Sequence, residues 1–447
     1  MGHSKNTKSD ANSRRDFVKK SALLTGAMVL PSMPMDAMVN MSNGKKLKIA
    51  LVGCGGRGTG AAAQALSADD NVELVAMADA FEDRLQGCLA QLNKSFKEKA
   101  KKKIKVKEKH QFVGFDAAEK AMDLADVVIL TTPPGFRPQH FEYAVKTGKH
   151  VFMEKPVATD VPGIRRVLAA ARVAKEKKLN VVVGLQRHYQ NNYLEIQRRI
   201  EAGEVGKIMS GQVYWNSGGV WVRGRKPGQT EMEYQMRNWY YFNWLCGDHI
   251  LEQHIHNIDI ANWFIGETPV SAQGIGGRQV RNGKDHGQIF DHHFVEFTYP
   301  SGAVISSQCR HIKGTWSKVG ENFQGTKGSI EMKDAGTAYI RNLDGSEAFK
   351  YRGKDDPNPY QVEHNKLFAS IRNGGVIANA EYGAHSTMTA IMGRMATYSG
   401  KVITWDEAMK SELVLVPDNL DWNSNPPTMP DANGNYEVPI PGKTVVM

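Results

Sequence analysis

Cysteine is scarce in this sequence: four in 447 residues, at Cys54, Cys88, Cys246 and Cys309. None forms a CxxC pair, which excludes zinc-ribbon and thioredoxin-like motifs, and a chain of this size does not need disulfides for stability. Long apolar runs are missing as well. No stretch reaches the roughly 18 residues that a membrane-spanning helix requires, so stable membrane insertion is not expected. Aromatic residues hardly interleave with the lysine-rich run Lys94–Lys109, and no nucleic-acid motif accompanies it. The formal charge of +10 is therefore read as a basic leader plus a solvated helix face or loop, not as a nucleic-acid surface. Histidines at 249, 254, 292 and 293 match no ligand spacing, so no metal is expected.

What is present is ordinary globular material. Apolar residues make up 41% and charged residues 23%, enough for a sizeable core, and the length implies at least two domains. The N-terminus carries Ser13-Arg14-Arg15-Asp16-Phe17-Val18-Lys19-Lys20 followed by an apolar run from Ala22 to Leu30. A basic region before a short apolar segment is a secretory layout, and the paired arginines resemble a twin-arginine (Tat) signal. Residues 1–40 are read as this leader. It implies the Tat export machinery as a partner and a periplasmic or otherwise exported location.

After the leader, Lys46–Val52 is a β-branched, apolar run leading into Gly53-Cys54-Gly55-Gly56-Arg57-Gly58, and a helical stretch follows from Thr59 to Leu66. This is G-x-G-x-x-G with a strand before it and a helix after it, the context that a dinucleotide site needs. Gly53 permits a tight turn, Gly55 a close approach of backbone to pyrophosphate, and Gly58 close helix–strand packing. The helix N-terminus offers free N–H groups to phosphate. A second strand, Val72–Ala78, ends at Asp79, about twenty residues on, where a carboxylate accepts from ribose hydroxyls. Asp79 opposes a 2′-phosphate and favours NAD over NADP, while Arg84 keeps the alternative open. Strands at 126–130, ending in Thr131-Thr132-Pro133-Pro134, and at 150–153, ending in Glu154-Lys155-Pro156, flank a helix at 139–147. Strand–helix alternation predicts a doubly wound parallel sheet, with Gly53, Asp79, Thr131 and Lys155 together at its carboxyl edge.

These residues, with His140, Gly148-Lys149-His150-Val151 and a second block Glu252-Gln253-His254-Ile255-His256-Asn257-Ile258-Asp259, resemble the Gfo/Idh/MocA family of oxidoreductases over residues 45 to 400. The resemblance implies an α/β fold: a Rossmann domain (45–184), then an α/β substrate domain (185–415) with a large, open, mainly antiparallel sheet. Residues 416–447 are read as a C-terminal arm. It further implies that Gly53, Gly55, Gly56, Arg57, Gly58, Asp79, Thr131, Thr132, Pro133, His140, Glu154 and Lys155 bind the cofactor. Lys155 and His256 would be the catalytic pair, with Glu252 one helical turn before His256. Family members are often homo-oligomers.

The chemistry follows from the residue types. Oxidising a carbinol requires a base for the hydroxyl proton, which a histidine supplies, and a cation for the developing oxyanion, which a lysine supplies. Arg187, His188, Tyr189 and Trp244 are candidate contacts to a carbohydrate substrate, with Trp239, Tyr240 and Tyr241 beside them. Free nicotinamide cofactor is scarce outside the cytoplasm, so an exported enzyme would hold it tightly. The leading reading is a sugar or polyol oxidoreductase. The alternatives are a glycoside hydrolase using retained NAD in a redox-neutral cycle and a non-catalytic sugar-binding relative.

Overall fold

A computed structural model describes residues 45–333, 336–417 and 420–447. The chain divides into Met1–Gly44 and Lys45–Met447, and the leader lies outside the described residues. Two sheets organise the second unit. The first has six parallel strands in the order β3-β2-β1-β4-β5-β6. They are β1 (Leu47–Val52), β2 (Val72–Asp79), β3 (Gln111–Val113), β4 (Val127–Leu130), β5 (His150–Met153) and β6 (Val181–Val183). β4 reads Val-Val-Ile-Leu and is buried throughout, the pattern of a parallel strand covered on both faces.

The second sheet has nine strands in the order β14-β13-β12-β11-β7-β10-β9-β8-β15. Its members are β7 (Ile208–Ser217), β8 (Ser271–Gly277), β9 (His292–Thr298), β10 (Val304–His311), β11 (Lys318–Gly325), β12 (Gly328–Lys333), β13 (Thr337–Asn342), β14 (Glu347–Arg352) and β15 (Ile403–Thr404). β7 and β10 pair in parallel, while β10 with β9 and β11 with β7 are antiparallel. Burial in β9 and β10 alternates residue by residue, so one face is covered and the other is more open. The doubly wound sheet and the large, mainly antiparallel sheet are those expected.

The chain does not leave the first sheet for good after β6. The helix Pro359–Arg372 returns to it: Leu367 and Phe368 join the core formed by β1, β2 and the helix Gly56–Ala68. Arg372 closes this contact on Asp69 at 2.7 Å. The long helix Ala380–Ser399 is buried along most of its length and shares one core with both sheets. The C-terminal segment lies on the body, where Trp422 packs on Phe115 at 4.5 Å and Tyr436 on Phe242 at 5.0 Å.

Two local expectations are corrected. The lysine run is not wholly solvated: Lys103 is buried, its ammonium donating to the Asp69 carbonyl at 2.5 Å. A long aliphatic stem can be covered while its head finds an acceptor. Glu252 and His256 do not share one continuous helix. His249–Glu252 and Ile255–Ile265 are separate helices, broken at Gln253 and His254, so the one-turn spacing does not set their relation.

Candidate functional site

The glycine loop follows from sterics. Gly53 has φ +96°, and a Cβ there would stand 2.6 Å from the backbone of Thr131 and Thr132. A Cβ on Gly58 would meet the Gly53 carbonyl at 2.0 Å, so loop and helix can touch only without side chains. Gly55 and Gly56 are the opposite case, with no atom within 4 Å of the Cβ positions. The space there is open, and the helix Gly56–Ala68 begins with no side-chain cap. Unsatisfied helix N–H groups facing open space form a cradle for an anion.

Around this cradle lies a cavity of about 370 Å³, lined in part by Gly55, Gly56, Asp79, Thr132, Pro133 and His140. Asp79 accepts from the Cys54 N–H at 2.6 Å and the Phe81 N–H at 2.9 Å, which fixes its carboxylate at the end of β2. Burial pushes its pKa up. Thr131 braces the loop through its hydroxyl, which donates to the Gly53 carbonyl at 2.6 Å. His140 is buried beside the Thr132 hydroxyl at 3.3 Å, and burial next to Arg137 lowers it to about 3, so it is neutral at working pH.

The sequence reading missed Arg137. Its buried guanidinium donates to the carbonyls of Leu130 and Thr132, at 2.5 and 2.7 Å, and pins the turn after β4. The reading also missed Glu363. Arg57 does not reach outward from the glycine loop: it is held by Glu154 and by Glu363, the latter at 3.2 Å, and lies over the Tyr360 ring at 5.0 Å. Glu363 is fully buried and its pKa is raised, by burial and by Glu154. It comes from the returning helix, far from the loop in sequence, and no local motif announces it.

Beyond β5, the Lys155 ammonium donates to the Glu252 backbone carbonyl and lies 3.4 Å from the Glu252 carboxylate. Burial raises the Glu252 pKa, and Lys155 opposes that rise. His256 is buried against Trp215, with ring centroids 5.9 Å apart, and its Nδ1 has no hydrogen-bond partner within the protein. Burial, and then the charges of Lys155 and Arg187, hold its pKa well below the usual range.

The four candidate substrate contacts are occupied by structural partners. Arg187 pairs with the buried Glu321, which also accepts from Asn257 at 2.5 Å and Tyr193 at 3.0 Å. His188 bonds Asp259 at 2.8 Å and stacks on Trp263 at 4.0 Å. The Tyr189 hydroxyl donates to Asn379 at 2.7 Å. Trp244 is a core residue, 2% exposed, with its indole N–H on Gln235 at 2.8 Å. Its expected place against a sugar is corrected: the ring is buried and its donor is used. Among the neighbouring aromatics, Trp239 lines the dinucleotide cavity.

The histidines scattered in sequence do partly meet. Asp248, His249 and His293 offer ligand-type atoms within 4.8 Å of one another. Asp248 is already engaged by the Phe290 N–H at 2.9 Å, the Tyr398 hydroxyl at 2.5 Å and His249 at 2.8 Å. His254 instead faces Ser307, and His292 faces Asp291.

Fold and site together define a two-sheet protein of the dinucleotide-binding oxidoreductase class, with a lysine–glutamate pair beyond the carboxyl edge of the Rossmann sheet. The chain belongs to the Gfo/Idh/MocA family. Residues 47–185 match the oxidoreductase family, NAD-binding Rossmann fold, and residues 193–331 match the GFO/IDH/MocA C-terminal domain.

Among curated relatives it is 30% identical over 290 residues to inositol 2-dehydrogenase 3 of Saccharopolyspora erythraea, covering 62% of this chain and 76% of that one. It is 25% identical over 221 residues to inositol 2-dehydrogenase of Rhizobium meliloti, covering 49% of this chain and 60% of the relative. It is 27% identical over 215 residues to 2,7-anhydro-N-acetylneuraminate hydratase of Escherichia coli, covering 48% of this chain and 53% of the relative. The last two matches thus span little more than half the length of each relative.

Among solved structures, aldose-aldose oxidoreductase from Caulobacter crescentus superposes with a TM-score of 0.63 at 18% identity, covering 80% of this chain and all of that one. Scyllo-inositol dehydrogenase from Lactobacillus casei, solved with NAD(H) and scyllo-inositol, gives 0.61 at 20%, covering 81% of this chain and all of that one. These structural likenesses show the fold. Among the described residues no helix is long and apolar enough to cross a membrane.

Proposed function

We propose that this chain oxidises or reduces a hydroxyl carbon of a sugar or polyol, using a tightly held nicotinamide dinucleotide. The observation that carries the reading is the Lys155 ammonium held by Glu252 beyond β5, on the same sheet edge as the open cradle at Gly55 and Gly56. The cradle fits the cofactor: open space at two glycines, uncapped helix N–H groups and a fixed acid at Asp79 are what a dinucleotide needs. A bound nicotinamide supplies the site that accepts or returns the electron pair from carbon.

The chain's own residues do the rest. The Lys155 ammonium stabilises negative charge on the substrate oxygen, and Glu252 orients that ammonium through both its carbonyl and its carboxylate. The neutral imidazole of His256 takes the hydroxyl proton. Arg57, Glu154 and Glu363 hold the glycine loop from behind. The inositol dehydrogenases among the relatives support a polyol or sugar as substrate.

A second reading is favoured by one observation, the relative described as an anhydro-sugar hydratase. On that reading the same residues run a redox-neutral cycle: oxidation at carbon, elimination, hydration and reduction. The Tat-like leader supports either scheme, because export separates the enzyme from the cytoplasmic cofactor supply. The deciding experiment incubates purified full-length protein with aryl glycosides and with free sugars and polyols. Nicotinamide reduction on free sugars supports the oxidoreductase; aglycone release without added cofactor supports the second reading. Silence in both, from protein shown to carry nucleotide, rules out both.

A further inference from the structure

The dinucleotide cavity does not end at Asp79. A second cavity of about 460 Å³ adjoins it, and both are lined by Arg84, Arg223 and Arg237. Lys226 also lines the second cavity, so its wall carries four cations against one carboxylate, Asp83. These cations come from opposite sides. Arg84 lies just beyond β2, on the helix Glu82–Phe96. Arg223 and Lys226 belong to the segment after β7, and Arg237 ends the helix Glu231–Arg237.

The pocket is held in shape by its own contacts. Arg237 lies over the Phe81 ring at 4.0 Å, two residues past Asp79. It is tied to Asp83 at 3.1 Å and to Glu233 at 3.0 Å. The Arg223 backbone N–H donates to Asn238 at 2.9 Å, and its guanidinium lies 4.7 Å from the Trp221 ring. Arg84 has Asp83 only at 3.9 Å. The three guanidinium groups line the same two cavities, and burial first, then repulsion from Arg84 and Arg237, lowers the Arg223 pKa. Like charges brought together without enough carboxylates make an anion site.

The place of this pocket decides which anion it takes. It shares Arg84, Arg223 and Arg237 with the first cavity, which holds Asp79 and Phe81 at its ribose end, and Lys155 lines neither cavity. A substrate phosphate would sit at the Lys155 end. We propose that Arg84, Arg223 and Arg237 receive a phosphate on the adenosine ribose, so that the chain prefers the 2′-phosphorylated dinucleotide over the unphosphorylated one. Asp79 opposes such a phosphate, but the four cations exceed the three carboxylates Asp79, Asp83 and Glu233, and two of those carboxylates are already engaged by Arg237. Arginine forks suit phosphate oxygens better than a bare field would. The proposal rests on the nicotinamide reading and refines it.

The test uses full-length protein freed of nucleotide and three probes: 2′,5′-ADP, 5′-AMP and inorganic phosphate, measured by calorimetry. The first two differ only in the 2′-phosphate. Binding of 2′,5′-ADP at least tenfold tighter than 5′-AMP is expected. Arg223→Ala and Arg84→Ala should each erase most of that advantage, weakening 2′,5′-ADP at least tenfold more than 5′-AMP, at a melting temperature close to the parent's. Equal affinities, or an advantage that survives both substitutions, overturn the proposal. Phosphate binding as tightly as 2′,5′-ADP marks a free-phosphate site and also overturns it. Nucleotide released from the purified protein by denaturation gives a second reading by mass: a 2′-phosphate supports the proposal, and NAD alone overturns it. If neither NAD nor NADP binds, the nicotinamide reading itself falls, which is a different result from NAD binding alone.

Discussion

The Lys155 ammonium lies 3.4 Å from the Glu252 carboxylate and also donates to the Glu252 backbone carbonyl, so one residue holds the lysine by two different groups. The two contacts separate under mutation. Lys155→Ala should lower kcat by about 10²–10³-fold, the usual cost of losing one oxyanion-stabilising group. Glu252→Gln keeps the carbonyl contact and should cost less, on the order of tenfold. Nucleotide binding should change little in either variant. Full activity in Lys155→Ala, measured under saturating cofactor, would remove the catalytic assignment.

Gly58→Ala and Gly56→Ala should fail in opposite ways. At Gly58 the new methyl meets the Gly53 carbonyl at 2.0 Å and the Thr131 hydroxyl at 2.6 Å, so the fold loses about 1–3 kcal/mol. At Gly56 it meets nothing within 4 Å, so the melting temperature should hold while nucleotide affinity drops. Nucleotide binding by Gly56→Ala as tight as that of the parent would mean the open space at the loop is not the cradle.

Acid should unfold this protein early. His140, lowered to about 3, and His249, lowered to about 4, are buried and neutral, as are His254, His256, His311 and His364. Their folded pKa values lie below the unfolded value, so the unfolded chain binds more protons once pH falls below about 6.5. Stability contributed by burial of neutral imidazole is therefore present above that pH and lost below it. Each histidine removes roughly 1.4 kcal/mol per pH unit until its folded pKa is reached. A melting temperature that stays flat from about pH 6.5 down to about pH 5 would contradict this count of neutral histidines.

Glu363 should act in the opposite direction. Its folded pKa is raised, so its contribution is full at low pH and declines as pH rises through the folded value. Glu363→Gln removes the titrating group and keeps the shape. The variant should show a smaller loss of melting temperature than the parent as pH rises above about 4.3, the unfolded carboxyl value. Parallel curves would place the proton elsewhere.

Arg187 and Trp244 should behave as structural residues. Arg187→Met takes the ion-pair partner from a fully buried Glu321 and should cost about 3–5 kcal/mol. Trp244→Ala should cost a similar amount, about 3–5 kcal/mol, through lost packing. A change in sugar preference at unchanged stability, read from KM across a substrate panel, would return either residue to the substrate site.

Local patterns carried much of this molecule. Gly53, Gly58 and Asp79 were legible because each answers a constraint within a few residues: a turn, a close contact, a strand end. The order of strands and helices in the first sheet was legible for the same reason, since burial on both faces leaves continuous apolar runs such as Val127–Leu130. The Glu252–His256 spacing misled, because four residues imply one turn only if the helix is unbroken, and Gln253 and His254 break it.

The dinucleotide loop, the acid that ends β2 and the lysine past β5 are all written in short stretches of sequence, because they follow from short-range backbone geometry. It took the packed molecule to show that Arg57 faces Glu363, that Trp244 is core, and that Arg223 and Arg237 meet Arg84 at the ribose end of the cavity. The Arg57–Glu363 pair and the arginine cluster join residues more than a hundred positions apart. They depend on how sheets and returning helices pack, which no local pattern encodes.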